Sequence, residues 1–361
     1  MSDSANAAAA LRLSSVDCLR GLTVAAMLLV NNAGDWSHVW PWLEHASWHG
    51  CNPADLIFPL FLFVAGVSLS LALEPQLERG RAPDALSRGV LVRAARVFAL
   101  GLLLHVAAAL LVPDRDLRLP GVLQRIGVCI AVAGPVLLYL KPRAQWILFG
   151  ALLTAYALLL AWAGTTVERN PGLAVDSAVL GRFAYSYDAA TGRAFDPEGI
   201  VSTLGAIATT LLGLRAGHWL RGGRLDALLS AGLAGLTAGA ALHWPQPINK
   251  SLWTPAFVLW TGGIACLALL VMHRLADRRG VWLPGGALGR NAMLAYAGSW
   301  LMVCVLAATG TDRWLFSHAF AAWLTPLAGA EAASAAWAAA VVAIWWLVAI
   351  VLDRRRWYWK I

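Results

Sequence analysis

Long apolar runs constrain this chain more than any other feature of its sequence. Stretches of about 20 residues rich in leucine, alanine and valine recur along all 361 positions, and charged residues make up only 13% of the chain. A helix of about 20 residues crosses roughly 30 Å of bilayer hydrocarbon, and a water-soluble fold has too little interior to hide so much apolar side chain. The sequence therefore predicts an all-α, polytopic integral membrane protein.

We expect about ten transmembrane helices, since each crossing needs about 20 apolar residues. The predicted spans lie near 17–34, 55–73, 89–112, 121–140, 144–164, 199–220, 225–243, 252–272, 289–309 and 331–352. No segment outside these spans is long enough to form a separate domain, so residues 1–361 are interpreted as a single transmembrane domain.

The distribution of basic residues predicts the orientation of the chain. If the N-terminus is cytoplasmic, most of the 28 lysines and arginines fall at cytoplasmic helix ends, as the positive-inside rule requires. The connections 31–54 and 165–198 are then periplasmic loops. We attribute the net charge of +8 to this orientation, and we expect the lipid bilayer rather than nucleic acid as the partner.

The five cysteines indicate neither a metal site nor a disulfide framework. Most of them fall inside or beside predicted spans, and no pair has the C-x-x-C spacing that is typical of zinc or redox sites. We therefore expect no metal.

The segment from His45 to Pro59 places titratable and polar side chains beside an apolar span. Histidine changes its charge near neutral pH, so His45 suits a general base or an acyl-carrying nucleophile. Asp55 opens the second span, where it either caps the helix or orients the imidazole of His45. Asn31 ends the first span on the same side, and its amide can donate to a developing oxyanion. We predict His45, Asn31 and Asp55 as the catalytic residues.

Other polar residues near the predicted membrane boundaries have two interpretations each. Asp17 and Arg20 are three residues apart, so they either form an ion pair on one helix face or contact a ligand. Arg125 either extends its charged end to the surface or neutralises Asp55. The tryptophans of the 31–54 loop mark a membrane interface or form a wall on which a sugar stacks.

Short motifs spread along the chain carry a resemblance to a known family. They are Val16-Asp17-Cys18-Leu19-Arg20-Gly21, Val30-Asn31-Asn32, His45-Ala46-Ser47-Trp48-His49-Gly50, Ala54-Asp55-Leu56-Ile57-Phe58-Pro59, Leu123-Gln124-Arg125-Ile126, Asp196-Pro197-Glu198-Gly199, Asn249-Lys250-Ser251-Leu252-Trp253-Thr254 and Gly289-Arg290-Asn291. Taken together and in this order, the motifs resemble the heparan-α-glucosaminide N-acetyltransferase family of the transmembrane acyltransferase superfamily.

This resemblance implies a transmembrane acetyltransferase that moves the acetyl group of cytosolic acetyl-CoA to the amine of a glucosamine-type sugar at the periplasmic face. It also implies a multi-pass protein of the bacterial inner (cytoplasmic) membrane, of the type linked to N-acetylglucosamine utilisation. The family's active-site histidine falls on His45, and its adjacent amide residue falls on Asn31. Direct acetyl transfer and transfer through an acetyl-histidine both remain open. The family commonly has Asn after the tryptophan of its histidine motif, where this chain has His49.

The remaining candidate residues follow from the matched motifs and from their predicted positions. We predict substrate binding by Trp48, His49, Asn32, Asn249, Lys250 and Glu198, and acetyl-CoA binding by Arg12, Arg20, Arg125, Arg290 and Asn291. Arginines at cytoplasmic helix ends suit the phosphates of a nucleotide, and they also signal topology. Asn249 and Lys250 either line the acceptor cavity or cap and anchor their span.

An alternative function is a transporter for N-acetylglucosamine or a related sugar. Ten spans and an aromatic-rich mouth fit this alternative, but no internal repeat is evident and charged residues at mid-membrane are scarce. We therefore favour the enzyme. A homodimer is compatible with either function, although no small-residue helix face predicts its interface.

Overall fold

The described part of the chain folds into a bundle of helices with two very short strands. The computed structural model describes residues 13–359, so Arg12, one of the predicted acetyl-CoA ligands, lies outside the described residues. In chain order the helices are α1 (Ser14–Val30), α2 (Ile57–Glu78), α3 (Pro83–Leu111), α4 (Val122–Tyr139), α5 (Pro142–Ala163), α6 (Pro171–Val179), α7 (Thr203–Arg221), α8 (Leu225–Leu242), α9 (Pro255–Met272), α10 (Gly286–Arg290), α11 (Ala292–Thr309), α12 (Thr311–Phe316), α13 (Ala322–Ala328) and α14 (Ala330–Arg354). Short 3-10 helices occupy Pro53–Leu56 and Gly181–Phe183, and His273–Arg278 and Ser317–Ala321 are π-helical.

Eight helical segments of the described chain are long and apolar enough to cross a membrane, and they contain α2, α3, α4, α5, α8, α9, α11 and α14. They coincide with eight of the predicted spans, which confirms an all-α, multi-pass membrane protein. The two other predicted spans are α1, which has 17 residues, and α7. Most of α7 is buried by neighbouring helices, so this helix needs little lipid-facing apolar surface. The total of ten spans stays a prediction.

The long helices form an inner group and an outer group. Most of the apolar stretch is buried in α2, α4 and α9, whereas only a small part of it is buried in α5, α8 and α14. The inner helices contribute to two large apolar clusters, one around Leu62 and Phe257 and the other around Val67 and Leu269. The exposed faces of the outer helices are apolar, as contact with lipid requires.

Glycines allow α2 and α7 to cross closely. A side chain added at Gly66 would overlap the backbone of Thr210, and one added at Gly213 would overlap the backbone of Phe63. Small residues let membrane helices approach until their backbones touch, which maximises van der Waals packing between them. This crossing fixes α7 against α2, the helix whose first turn follows Asp55.

The connection 165–198 is more structured than the predicted loop. It contains α6, whose first turn is capped by the Asn170 side chain accepting from the N–H of Leu173. It also contains an antiparallel hairpin of β1 (Ser186–Asp188) and β2 (Arg193–Phe195). The strands have three residues each, so the all-α class is unchanged.

We name the two ends of the bundle by the residues that they contain. The His45 face carries residues 31–52, 112–121, 164–202 and 243–254, and the Arg290 face carries residues 79–82, 140–141, 222–224 and 279–291. In the predicted orientation the His45 face is periplasmic and the Arg290 face is cytoplasmic, and this sidedness stays a prediction.

Candidate active site

His45 is paired with a buried carboxylate at the His45 face. Its Nδ1 lies 2.8 Å from Oδ1 of Asp55, and the Asp55 side chain is only 1% exposed whereas that of His45 is 44% exposed. A carboxylate can only accept a hydrogen bond, so the neutral imidazole carries its proton on Nδ1 and its lone pair on Nε2. The pair has the arrangement of a general base with an orienting acid.

Asp55 also fixes the local backbone. Its second oxygen, Oδ2, accepts hydrogen bonds from the N–H groups of Ala46 (3.1 Å) and Asn52 (2.8 Å). One oxygen therefore caps the 3-10 helix Pro53–Leu56 that leads into α2, and the other contacts His45. Asp55 therefore caps this short helix and also hydrogen-bonds the imidazole, while a catalytic role for the pair stays a prediction.

Lys250 lies close to both members of this pair. Its Nζ is 2.9 Å from Nε2 of His45 and 3.8 Å from Oδ1 of Asp55. Burial lowers the pKa of Lys250, and the carboxylates of Glu198 and Asp55 oppose that shift. An ammonium at this position donates to Nε2, which is the nitrogen with which a general base collects a proton.

A strained turn holds Lys250 in place. Trp253 is fully buried and has a positive φ of 51°, a conformation that costs a bulky residue about 1–3 kcal/mol. The turn is fixed by hydrogen bonds from the N–H of Leu252 to Oδ1 of Asn249 (2.8 Å) and from the N–H of Asn249 to Oγ1 of Thr254 (3.2 Å). Asn249 therefore anchors the turn that presents Lys250.

His49 has a different partner from His45. Its Nδ1 lies 3.3 Å from Nδ2 of Asn249, and Oδ1 of that amide already accepts from Leu252. The amide therefore donates to Nδ1 of His49. Burial and the charge of His243 lower the pKa of His49, which favours its neutral form. Of the two histidines, His45 is the one whose protonated form has a carboxylate partner.

A buried ion cluster supports the second polar segment of this face. Arg118 donates from Nε to Oδ2 of Asp196 (2.8 Å) and from Nη2 to Oδ1 of Asp196 (2.5 Å), and it also pairs with Glu198. Burial raises the pKa of Glu198, but the charges of Arg118 and Arg125 outweigh burial and bring this pKa to about 2. Sequence reasoning identified Glu198 but missed Arg118, because an arginine in a polar connection has no diagnostic spacing.

Arg125 is buried beneath the same segment, with 2% of its surface exposed. Its Nη2 donates to the carbonyls of Pro197 and Gly199 and to Oγ of Ser202. Both interpretations based on sequence are therefore wrong, since the guanidinium reaches neither the surface nor Asp55. The Nε and Nη1 atoms are buried and have no hydrogen-bond partner within residues 13–359.

The other predicted residues of the His45 face have local contacts. Asn31 follows α1 and is exposed, whereas Asn32 is buried and donates to the carbonyl of Leu28. The indole N–H of Trp48 donates to the carbonyl of Thr165 (2.8 Å) and so links the two polar segments of this face. Contacts of these residues with a substrate stay predictions.

A polar cleft of about 330 Å³ opens on the Arg290 face. Its lining consists of Ser14, Asp17, Arg290, Asp353, Arg354, Arg356 and Tyr358. Arg290 donates to Asp353, and Arg20 donates to Asp17 at 3.0 Å. The ion pair predicted for Asp17 and Arg20 is confirmed, while nucleotide binding by Arg20 and Arg290 stays a prediction.

Asn291 follows Arg290 and is the N-cap residue of α11. It is 1% exposed, and neither its Oδ1 nor its Nδ2 has a hydrogen-bond partner in the described part of the chain. A buried amide without a partner costs roughly 1–3 kcal/mol. The unpaired amide offers both hydrogen-bond donors and an acceptor.

Comparison with known proteins adds a family to this geometry. Residues 12–234 match the family described as heparan-alpha-glucosaminide N-acetyltransferase, catalytic. The chain is 28% identical to heparan-alpha-glucosaminide N-acetyltransferase of Homo sapiens over 415 residues, which cover 97% of this chain and 60% of the human protein. It is also 28% identical to the protein of the same name from Mus musculus over 351 residues, which cover 80% of this chain and 53% of the mouse protein.

The fold and the site define a multi-pass helical membrane protein with a histidine, a carboxylate and a lysine clustered at one face. The family match covers more than half of the chain, so the chain belongs to the heparan-alpha-glucosaminide N-acetyltransferase catalytic family. This finding confirms the resemblance carried by the motifs. The chain spans little more than half of the length of the two curated relatives.

Proposed function

We propose that this protein transfers the acetyl group of cytosolic acetyl-CoA to the amine of a glucosamine-type sugar at the periplasmic face of the bacterial inner membrane. The observation that carries the proposal is the hydrogen bond between the exposed His45 and the buried Asp55. It orients a general base at a face that a sugar can reach. Membership of an N-acetyltransferase family supports acetyl transfer, and the name of the two relatives supports an amino-sugar acceptor.

His45 is the general base in this reaction. The nitrogen of an amino sugar can attack a thioester only after it has lost the proton of its ammonium form. Nε2 of His45 takes that proton, while Asp55 stabilises the resulting imidazolium from the Nδ1 side. The same nitrogen can carry an acetyl group, so direct transfer and an acetyl-histidine route use the same pair of residues.

Arg125 and Asn31 are the proposed donors to the acetyl carbonyl. The carbonyl oxygen gains negative charge as the nitrogen attacks, and fixed N–H groups in a water-poor site stabilise that charge strongly. Two nitrogen atoms of the Arg125 guanidinium, Nε and Nη1, have no hydrogen-bond acceptor among the described residues. This guanidinium lies 5.2 Å from the ring centre of Trp253, in the turn that presents Lys250. Asn31 adds an exposed amide at the end of α1.

The proposed acceptor site is formed by the polar segments around His45. The ring of Trp48 packs 5.5 Å from that of Phe195, and its remaining surface provides an apolar wall for a sugar. The low pKa of Glu198 keeps this carboxylate ionised at neutral pH, so that it attracts the ammonium form of the acceptor. His49, Asn249, Lys250 and Asn32 complete the proposed substrate-binding set.

Acetyl-CoA is proposed to enter from the Arg290 face. The cleft there carries Arg290, Arg354 and Arg356, and guanidinium groups suit the phosphates of the nucleotide. An extended pantetheine arm is comparable to half of the roughly 30 Å of hydrocarbon, so a nucleotide at this face can present its thioester toward His45. The amide of Asn291 has the donor and the acceptor that an amide of pantetheine requires.

Replacing Asn291 with leucine tests the acetyl-CoA path. Leucine has a similar volume and no amide, so the hydrogen bonds to pantetheine are lost. We expect the KM for acetyl-CoA to rise about tenfold, as a loss of about 1.4 kcal/mol implies, with little change in the KM for glucosamine. Initial rates measured against each substrate in turn provide both constants.

Ser299→Ala is the matched control, because Ser299 is also buried on α11 and donates to the carbonyl of Tyr296. This variant should keep the wild-type KM for acetyl-CoA. If folded Asn291→Leu protein has an unchanged KM for acetyl-CoA, Asn291 does not contact the pantetheine arm.

Proteoliposomes test the proposed function as a whole. Acetyl-CoA with a radiolabelled acetyl group is supplied on the side of the Arg290 face, and glucosamine is enclosed on the other side. We expect labelled N-acetylglucosamine to form in the glucosamine compartment. Accumulation of labelled N-acetylglucosamine without acetyl-CoA would instead support the transporter, and a lack of transfer under all conditions would refute the enzyme.

A further inference from the structure

We propose that Lys250 is itself an acetyl acceptor: when no sugar occupies the site, the acetyl group of acetyl-CoA is transferred to Nζ of Lys250 and turnover stops. This inference rests on the proposed function, because it uses the same donor and the same base. It identifies Lys250 as a modification site, and it implies that the supply of acceptor sugar controls the activity of the enzyme. Neither conclusion follows from sugar acetylation alone.

The scarcity of lysine in this chain makes Lys250 distinctive. The 28 basic residues comprise 25 arginines and only three lysines, Lys141, Lys250 and Lys360. A guanidinium stays protonated in proteins, whereas a lysine amine becomes a nucleophile once it is deprotonated. Lys250 therefore brings a primary amine to His45, and a primary amine is the group that the proposed reaction acetylates.

The position of this amine reproduces the position required of the acceptor. A general base must lie within hydrogen-bond reach of the proton that it removes, and Nζ of Lys250 lies 2.9 Å from Nε2 of His45. The side chain is 18% exposed, so little water competes with the imidazole for the ammonium. The Asn249 anchor and the buried Trp253 restrict the turn that carries Lys250, which keeps the amine in front of the base.

The charged groups around Lys250 favour deprotonation by His45 over loss of a proton to solvent. Asp55 and Glu198 stabilise the ammonium, while burial and the charge of Arg125 oppose it. Oδ1 of Asp55 lies 2.8 Å from Nδ1 of His45 and 3.8 Å from Nζ of Lys250, so the imidazolium formed by proton transfer is paired with this carboxylate more closely than the ammonium was. Lys250 thus meets the requirements that the amine of the sugar must meet.

The acetylation step is balanced without any further reagent. Nε2 of His45 takes one proton from the Lys250 ammonium, and Nζ attacks the carbonyl carbon of the thioester. The C–N bond forms as the C–S bond breaks, the thiolate of CoA takes the second proton released from Nζ, and His45 returns its proton to water. The products are CoA and an amide at Lys250 that is neutral and no longer nucleophilic.

Acetyl-Lys250 would block the site for two reasons. The acetyl group occupies the space in front of Nε2 of His45, so the nitrogen of a sugar cannot reach the base. The positive charge of Lys250 beside Glu198 and Asp55 is also lost. A bound sugar ammonium that displaces Nζ from Nε2 prevents the step, so glucosamine should protect the enzyme.

Mass spectrometry of the wild-type protein tests the modification. Purified full chain is incubated with acetyl-CoA in the absence of sugar, digested and analysed for acetyl-lysine. We expect acetylation at Lys250 with little at Lys141 and Lys360, which report non-enzymatic acetylation in the same sample. The acetylated fraction of Lys250 should grow with the same rate constant as the decline of the enzyme's activity toward glucosamine. Glucosamine added to the preincubation should suppress both the modification and the decline.

Three variants separate the chemistry from the fold. Lys250→Arg keeps the positive charge without an acylatable amine, so its activity, whatever its starting value, should not decline during preincubation with acetyl-CoA. His45→Ala should leave Lys250 unmodified because the base is absent. Lys141→Arg is the matched control and should lose activity during preincubation at the wild-type rate.

The outcomes distinguish this inference from the proposed function. If the wild-type protein acetylates glucosamine but Lys250 stays unmodified after a preincubation of many turnover times, the inference is overturned and the enzyme stands. Equal acetylation of the three lysines would also overturn it, because the reaction would then be non-enzymatic. If neither glucosamine nor Lys250 is acetylated, the proposed function itself fails.

Discussion

His45→Ala should lower kcat for acetyl transfer to glucosamine by about 10²–10⁴-fold, the usual contribution of a positioned general base. The variant lacks the nitrogen that accepts the proton of the sugar, and it also lacks the site for an acetyl-histidine. The fold should persist, since the His45 side chain is nearly half exposed and Asp55 retains its backbone donors Ala46 and Asn52. Steady-state rates with radiolabelled acetyl-CoA and the midpoint of thermal unfolding measure the two effects.

His49→Ala is the matched control for His45, because both histidines lie in the same segment. His49 accepts from the amide of Asn249 and has a lowered pKa, so its loss should reduce kcat much less than the loss of His45. A larger defect at His49 would exchange the roles of the two residues. Turnover by His45→Ala close to that of wild type would show that another group is the base.

The long helices could be predicted because each supplies its own signal. Prolines at the first helical position, where a missing N–H costs nothing, open α3, α5 and α9, and the predicted span 144–164 coincides within two residues with Pro142–Ala163. The short elements could not be predicted in the same way. The α6 helix and the β1–β2 hairpin are too short and too polar to show a hydrophobic period.

The candidate site could be predicted only where its residues share a motif. His45 and Asp55 lie ten positions apart in one recognisable segment, whereas Lys250 is separated from His45 by 205 positions. Their contact depends on the turn before α9 packing against the loop after α1. No spacing rule describes such a contact, so the sequence indicated Lys250 only as a possible lining residue.

Arg125 shows why the partners of a charged residue near a span boundary are hard to predict from sequence. Its position suggested either extension to the surface or pairing with Asp55, since both satisfy a charge near lipid. Residues 197–202 instead fold over the guanidinium and supply neutral acceptors from Pro197, Gly199 and Ser202. The sequence does not show that a polar connection bends back over the end of a helix. The partners of Arg125 could therefore not be predicted.

Arg118→Met should destabilise the protein by about 3–5 kcal/mol, the usual cost of breaking a buried ion pair by removing one partner. The Asp196 side chain is fully buried, and Glu198 is nearly so. Methionine fills part of the volume but leaves Asp196 without its bidentate donor and Glu198 without its ion-pair partner. The free energy of unfolding, measured by titration with a denaturing detergent at pH 7, should fall accordingly. Arg182→Met, which removes an exposed arginine of the same face, should leave it unchanged.

The pH dependence separates lost charge compensation from lost packing. Arg118 and Arg125 lower the pKa of Glu198 from 4.5 to about 2, so in the wild type this stabilisation is complete above pH 4.5 and is lost only as the pH falls toward 2. Arg118 is the largest of the charges that offset the burial of Glu198, so we expect the pKa of Glu198 to rise in Arg118→Met and protonation on going from pH 7 to pH 5 to restore part of the stability of this variant. Burial also raises the pKa of Asp176 to about 6, so its protonation stabilises wild type and variant alike over this interval, and Arg118→Met should gain more than the wild type does. An equal deficit of the variant at both pH values would mean that the aliphatic stem of Arg118, rather than its charge, supports the segment behind His45.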